Sequence, residues 1–335
     1  MANNPGWERE ESPFHAGELA IQERFGLRER MDRQGRRVIR EYLPEQHRQF
    51  YSQLPYILVG TVDADGHPWA SILVGKPGFL SSPDDRTLRV MKMPLSGDPL
   101  AENLENGGDI GLLGIELHTR RRNRLNGTIR NLSADGFEVQ VGQSFGNCPQ
   151  YIQARAFELW ENESESPKPV YRVENFGERE RAMITAADTF FIATAYRNES
   201  AARGVDVSHR GGNPGFVRVD DSRTLTIPDF SGNFHFNTFG NLQLNPRAGL
   251  IFIDFDRGDL LYLTGTATVI WEGAEIREYA GAERLLRFHL EKGYRIEGGL
   301  PLRWSEPEFS PFLDSKRWLV ESGVRSQESG VSNRG

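Results

Sequence analysis

The chain has 335 residues, 38% hydrophobic and 26% charged, with a net charge of −7 and a mean hydropathy of −0.54. That length exceeds one ordinary domain, the composition is that of a soluble, turn-rich globular protein, and no run approaches the ~20 apolar residues of a membrane span. The acidity excludes the broad basic face of a nucleic-acid binder, and one cysteine, Cys148, excludes an internal disulfide or a Cys-rich metal site.

The opening MANNPGWEREESPF lacks the basic-then-apolar order of a signal peptide, so a cytoplasmic protein is expected. Residues 1–43 form an N-terminal extension, in which Phe14-His-Ala-Gly-Glu18 reads as a capped helix start packed on the body of the protein. Residues 44–54 have a helical pattern, and short β-rich runs follow at 56–62, 71–74, 87–90, 111–115 and 124–129. Asp63-Ala-Asp-Gly-His67 has the composition of a hairpin turn between the first two runs. Residues 159–177, acidic and Pro-containing at 161–169, are expected to be a linker. A second helix is predicted near 178–184, then strands at 190–195, 204–207, 216–219, 224–227, 250–253 and 260–267. Residues 274–292 have a helical pattern, and a disordered tail is expected to end the chain.

These runs repeat. KPGFLSSPDDRTLRV (76–90) matches NPGFVRVDDSRTLTI (213–227), GLLGIEL (111–117) matches GLIFIDF (249–255), and Asn126-Gly-Thr128 matches Thr264-Gly-Thr266. One near-constant offset over three blocks means a duplicated domain, far longer than a solenoid unit. The copies are placed at 44–158 and 178–273, with a C-terminal helix and tail at 274–335.

In copy two, the strand at 203–212, the segment Ser231-Gly-Asn-Phe-His-Phe-Asn-Thr-Phe-Gly-Asn241 and the run Asn245-Pro-Arg-Ala-Gly-Leu-Ile-Phe252 resemble the pyridoxamine 5'-phosphate oxidase-like flavoproteins. Phe14-His-Ala-Gly-Glu18, Asp98-Pro-Leu100, Arg121-Arg-Asn-Arg-Leu-Asn-Gly127 and Gly146-Asn-Cys-Pro-Gln-Tyr151 are similar to pieces of a branch with two barrels in one chain. The resemblance implies a mainly β fold with a few helices, two fused FMN-binding split β-barrels arranged as an internal pseudo-dimer. It implies FMN in the groove between barrels, and hydride transfer between a small substrate and O2 or a reduced nicotinamide. The alternative is a non-catalytic protein that binds or senses flavin, haem or a deazaflavin on the same scaffold. Pairing of the fused chain into a homodimer stays open.

The same resemblance selects the cofactor residues. Val207, Ser208, His209, Arg210 and Gly211 lie on the strand expected along the flavin, and Ser231, Gly232, Asn233, Asn237, Thr238 and Asn241 in the phosphate or ribityl segment. The family's usual Ser-Arg-Lys is replaced there by Ser-Gly-Asn, which moves the phosphate toward Arg210 or backbone amides. In Thr119-Arg-Arg-Arg-Asn-Arg124, alternate arginines share a strand face, so at most two of Arg120, Arg122 and Arg124 can converge on one anion, cofactor or substrate, with Arg122 and Arg124 taken as the cofactor pair. The copies differ around these segments, so a single well-formed site dominated by copy two is expected. Catalytic residues are not assigned: His15 with Glu18 reads as a cap, and no histidine accompanies Cys148 as a base. The seven histidines are scattered without His-x-His or His-Glu-x-x-His, which gives no basis for a metal.

Overall fold

The computed structural model describes residues 6–159, 168–196, 202 and 204–313. Helices α1 (Ala16–Arg24), α2 (Arg28–Val38) and α3 (Glu45–Gln53) open the chain. Copy one then runs β1 (Tyr56–Val62), β2 (Pro68–Val74), β3 (Leu80–Ser81), β4 (Thr87–Val90), α4 (Leu100–Asn103), β5 (Asp109–Glu116), β6 (Arg121–Arg130) and β7 (Phe137–Gly146). Strands β8 (Phe157–Leu159) and β9 (Val170–Val173) precede α5 (Glu178–Ala186). Copy two runs β10 (Thr189–Tyr196), β11 (Gly204–Gly211), β12 (Arg218–Val219), β13 (Thr224–Phe230), α6 (Asn237–Leu244), β14 (Arg247–Ile253), β15 (Leu260–Ile270) and β16 (Ala282–Ile296), with β17 (Leu302–Trp304) last.

The two sheets have one topology. Their orders, β2-β1-β5-β6-β7-β4-β3 and β11-β10-β14-β15-β16-β13-β12, correspond strand for strand. The repeated Arg-Thr-Leu opens β4 in one copy and β13 in the other, so that phrase is scaffold.

The central strands read as unbroken apolar runs because both faces are covered. On β1, Ile57 and Val59 point into the copy-one barrel, while Tyr56 and Leu58 join a separate core at the seam between copies. On β10, Phe190 and Ile192 fill the copy-two barrel, and Phe191 and Ala193 face the same seam. The shared glycine of the second repeat block belongs to this seam. A Cβ on Gly111 would collide with the carbonyl of Val205, and one on Gly249 with the carbonyl of Pro68, its counterpart in the other copy. One contact made twice is the signature of a pseudo-twofold interface.

Three expectations change. Residues 274–292 form a short 3-10 turn at Ala274–Glu278 and then β16, which pairs with β13, β15 and β9. Copy two therefore extends to Ile296, beyond the expected boundary at 273. Part of the expected 159–177 linker is strand β9, which extends the second sheet along β16. Most of the acidic stretch and the tail from 314 lie outside the described residues.

Candidate functional site

The N-terminal extension is part of the site. His15 is the N-cap of α1: its Nδ1 accepts from the Gly17 N–H at 3.1 Å, and Glu18 Oε2 accepts the His15 N–H at 2.8 Å. The capped helix start foreseen from the sequence is therefore present, with its packing partner now visible. Helix α1 lies against α6 at a crossing of Gly17 and Gly240, where a Cβ on either would overlap the other helix. Gln22 Nε2 reaches the carbonyls of Phe234 and His235 at 3.5 and 3.4 Å. Phe234 and Phe236 both take a φ of 60°, unusual for non-glycine residues, and between them His235 is buried against Phe14 and Phe145.

This folding brings the 231–239 segment, strand β11 and the copy-one strand β6 around one cleft of about 940 Å3, open mouth included. Ser208, His209, Arg210, Gly211, Ser231, Gly232, Asn233, Asn237, Thr238, Arg122 and Arg124 all line it. Val207 and Asn241 do not. Val207 is packed in the seam core, and Asn241 is buried behind the wall, donating to Thr194 at 3.0 Å and to Asp206 at 3.3 Å.

Residues outside the sequence selection complete the wall. Behind it, the buried Asp206 accepts from Arg124 at 3.0 Å and from Asn126 at 2.7 Å across the seam. Arg124 also donates to Ser208, whose hydroxyl meets Thr238 at 3.2 Å. On the copy-two side Arg210 pairs with Asp229 and lies 5.1 Å from the centre of the Phe239 ring, and Arg284 is 3.6 Å from Asp229. Arg284 falls in the stretch expected to be helical, so its place beside the cleft could not be read. A two-residue alternation from Leu286 through Phe288 to Leu290 was the signal available for β16.

Arg122 differs from these. Its Nε donates to the Cys148 carbonyl at 2.7 Å, and among the described residues it has no carboxylate partner. Burial and the nearby Arg124 and Arg210 charges push its pKa down to about 10. His209 is held neutral, far below its usual range, by burial and by Arg122 and Arg210. Cationic side chains thus crowd together with one charge unanswered.

The donor set fits a phosphorylated, polyhydroxylated, planar ligand such as FMN. His209 Nε2, Arg210 Nε and Asn147 Oδ1 are buried without a hydrogen-bond partner, which native proteins rarely leave so. Helix α6 enters from the cleft without a side-chain cap, leaving first-turn N–H groups of the kind that hold anions. A Cβ on Gly211 would strike the Tyr151 carbonyl, whereas one on Gly232 would meet nothing within 4 Å. Aromatic walls come from Tyr151, Phe230, Phe236 and Phe239. Cys148 also lines the cleft, half-buried. A separate trio, Asp63, Asp65 and His67, could converge on a cation, but Lys292 lies 3.1 Å from Asp63, Glu291 lies 2.9 Å from His67, and none of the three lines the cleft.

The pseudo-equivalent place in the other half is filled with protein. Strand register equates Arg124 with Tyr262 and His209 with Ile72. Ser71, the counterpart of Ser208, donates to the buried Asp98 at 2.6 Å, and the Tyr262 hydroxyl donates to the same carboxylate at 3.0 Å. Trp69, standing where Asp206 stands, stacks on Tyr294 at 5.6 Å.

Fold and cleft together define a split-barrel protein of two fused halves. The family model for pyridoxamine 5'-phosphate oxidase matches residues 43–166 and again 176–314, and the chain belongs to that family. No protein of curated function matches the sequence. Among solved structures, HupZ of Group A Streptococcus is 16% identical over 37% of this chain and 97% of its own, with a TM-score of 0.30. A candidate pyridoxamine 5'-phosphate oxidase of Lactobacillus delbrueckii is 13% identical over 36% of this chain and 93% of its own, with a TM-score of 0.29. The Bacillus subtilis inhibitor of motility MotI is 9% identical over 76% of this chain and 88% of its own, with a TM-score of 0.17. Among the described residues, no helix is long and apolar enough to cross a membrane.

Proposed function

We propose that the seam cleft binds FMN and that the protein is an FMN-dependent oxidoreductase acting on a small molecule. The observation that carries this reading is the cationic cleft built from both copies, which has an uncapped helix N-terminus, an arginine without a carboxylate and buried polar atoms without partners. Membership of the family supports it. Bound FMN would supply hydride chemistry, with O2 or a reduced nicotinamide as the second redox partner.

The chain's own residues would do the rest. Ser208, Thr238 and the first N–H groups of α6 offer neutral donors, and Arg122, Arg124 and Arg210 offer charge, a set suited to phosphate. Arg124 and Asp206 lock the two copies in register at the inner end, so the walls keep their spacing when the ligand arrives. Aromatic rings exclude water from the planar part of the ligand.

The test is FMN titration into the purified full-length protein. Saturable uptake with a rise in thermal stability is expected, about 2.7 kcal/mol at a hundredfold excess over Kd. Arg122→Gln and Asn233→Ala should each weaken FMN roughly tenfold or more, the worth of one charged or well-placed hydrogen bond. A protein that takes up no FMN defeats the proposal. Bound FMN that neither a reduced nicotinamide nor any donor bleaches would make the protein a flavin carrier.

A further inference from the structure

Behind the cleft, α1 presents a buried carboxylate to a residue of the wall. Glu18 is 3% exposed. Its Oε2 is committed to the His15 N–H by the capping box, and its Oε1 accepts from Asn237 Nδ2. Asn237 lines the cleft. An ionised carboxylate can only accept, so the amide has one allowed orientation, with Nδ2 toward Glu18 and Oδ1 free to face the cleft. The Gly17 and Gly240 crossing holds the two helices close enough for this bond to form.

We propose that Glu18 is a positioning residue that locks the Asn237 amide so that it offers the cleft an acceptor rather than a donor. This rests on the FMN reading of the cleft and sharpens it. An acceptor oxygen repels phosphate and welcomes a hydroxyl or N–H, so Asn237 serves the donor-bearing part of the ligand. The phosphate is left to the hydroxyls, helix N–H groups and arginines. Substitution makes the logic testable. In Glu18→Gln the His15 N–H still requires an acceptor, so the new amide must turn its Nε2 toward Asn237. Asn237 then has to flip and present Nδ2. Adding Asn237→Asp restores an acceptor on both sides.

The experiment measures binding of FMN and of riboflavin to wild type, Glu18→Gln, Asn237→Asp and the double variant, all as full chains. Glu18→Gln should weaken both ligands by roughly tenfold with their ratio unchanged, and the double variant should recover to within about threefold of wild type. Wild-type affinity should also fall as the pH drops through about 7, where Glu18 takes up a proton under the influence of burial and Asp206 on β11, offset by His15 on its own helix. Glu18→Gln should show no such step. Unchanged affinity in Glu18→Gln, a loss confined to FMN, or a double variant no better than Glu18→Gln would each overturn the proposal. A wild type that binds neither ligand defeats the FMN reading instead. The same four proteins, compared ligand-free by thermal unfolding, then decide the Glu18 assignment. Recovery of the melting temperature in the double variant upholds the pairing, and strictly additive losses reject it.

Discussion

Asp98 and Glu18 are carboxyl groups folded into places where water cannot stabilise their charge, and burial raises the pKa of both. Burial lifts Asp98 to about 6, despite donors from Ser71, Leu100, Tyr262 and Ile72. A folded pKa above the ordinary carboxyl value means the native state binds the proton more tightly, so stability falls as pH rises through roughly 4 to 6. Removing one donor then costs most where the group is charged. Tyr262→Phe should therefore destabilise by about 1 to 3 kcal/mol at pH 8 and by less at pH 5, as measured by denaturant unfolding at both values. A penalty independent of pH would mean that the hydroxyl matters for packing alone. Ser71 and Tyr262 stand where the pseudo-symmetric cleft has Ser208 and Arg124, so positions that line a cleft in one half fasten a seam in the other.

At the scale of elements, α1 and α6 show how a segment outside both barrels controls the site. Gly240→Ala would drive a Cβ into Glu18 and push the helices apart. Overpacking of this kind costs ~1–3 kcal/mol, and FMN uptake should fall with it because Asn237 and Thr238 begin α6. An alanine variant with wild-type stability and uptake would show that the crossing is softer than it looks. Elements also explain what the sequence could reveal. Strands β1, β2, β5, β10, β14 and β15 were readable because burial on both faces leaves long apolar runs between turn residues. Strand β16 was not, since Arg284, Arg287 and Glu291 interrupt it at intervals that mimic a helix face, and its pairing with three other strands overrides that pattern. The longer connection from β15 to β16 also takes the two copies out of step there, so the repeat gave no help. Helix α6 escaped notice for a local reason: a run rich in Asn, Phe and Gly has weak helix propensity, and α1 supplies the packing that fixes it. The cleft residues taken from the resemblance mostly converge, whereas Val207 misses because it is packed into the seam core and Asn241 because it is turned toward Thr194 and Asp206.

At the scale of the whole molecule, duplication has produced two pseudo-equivalent places and kept one open. Leu260, Ile72 and Leu73 occupy positions matching Arg122, His209 and Arg210, so the second place lacks the charges as well as the space. One FMN per chain is the expected stoichiometry, read by comparing flavin released on denaturation with protein concentration. A ratio near two would mean that the Trp69 and Tyr294 stack opens to admit a ligand.

The close approach of Gly111 to the Val205 carbonyl, repeated by Gly249 and Pro68, ties the two halves at backbone distance within a single polypeptide. Where such walls belong to separate subunits, diluting the protein dismantles the binding site by mass action, and occupancy falls with subunit concentration. Here the walls meet in a unimolecular step. At fixed free FMN, the fraction of sites filled should stay constant when the protein is diluted from micromolar to nanomolar concentration.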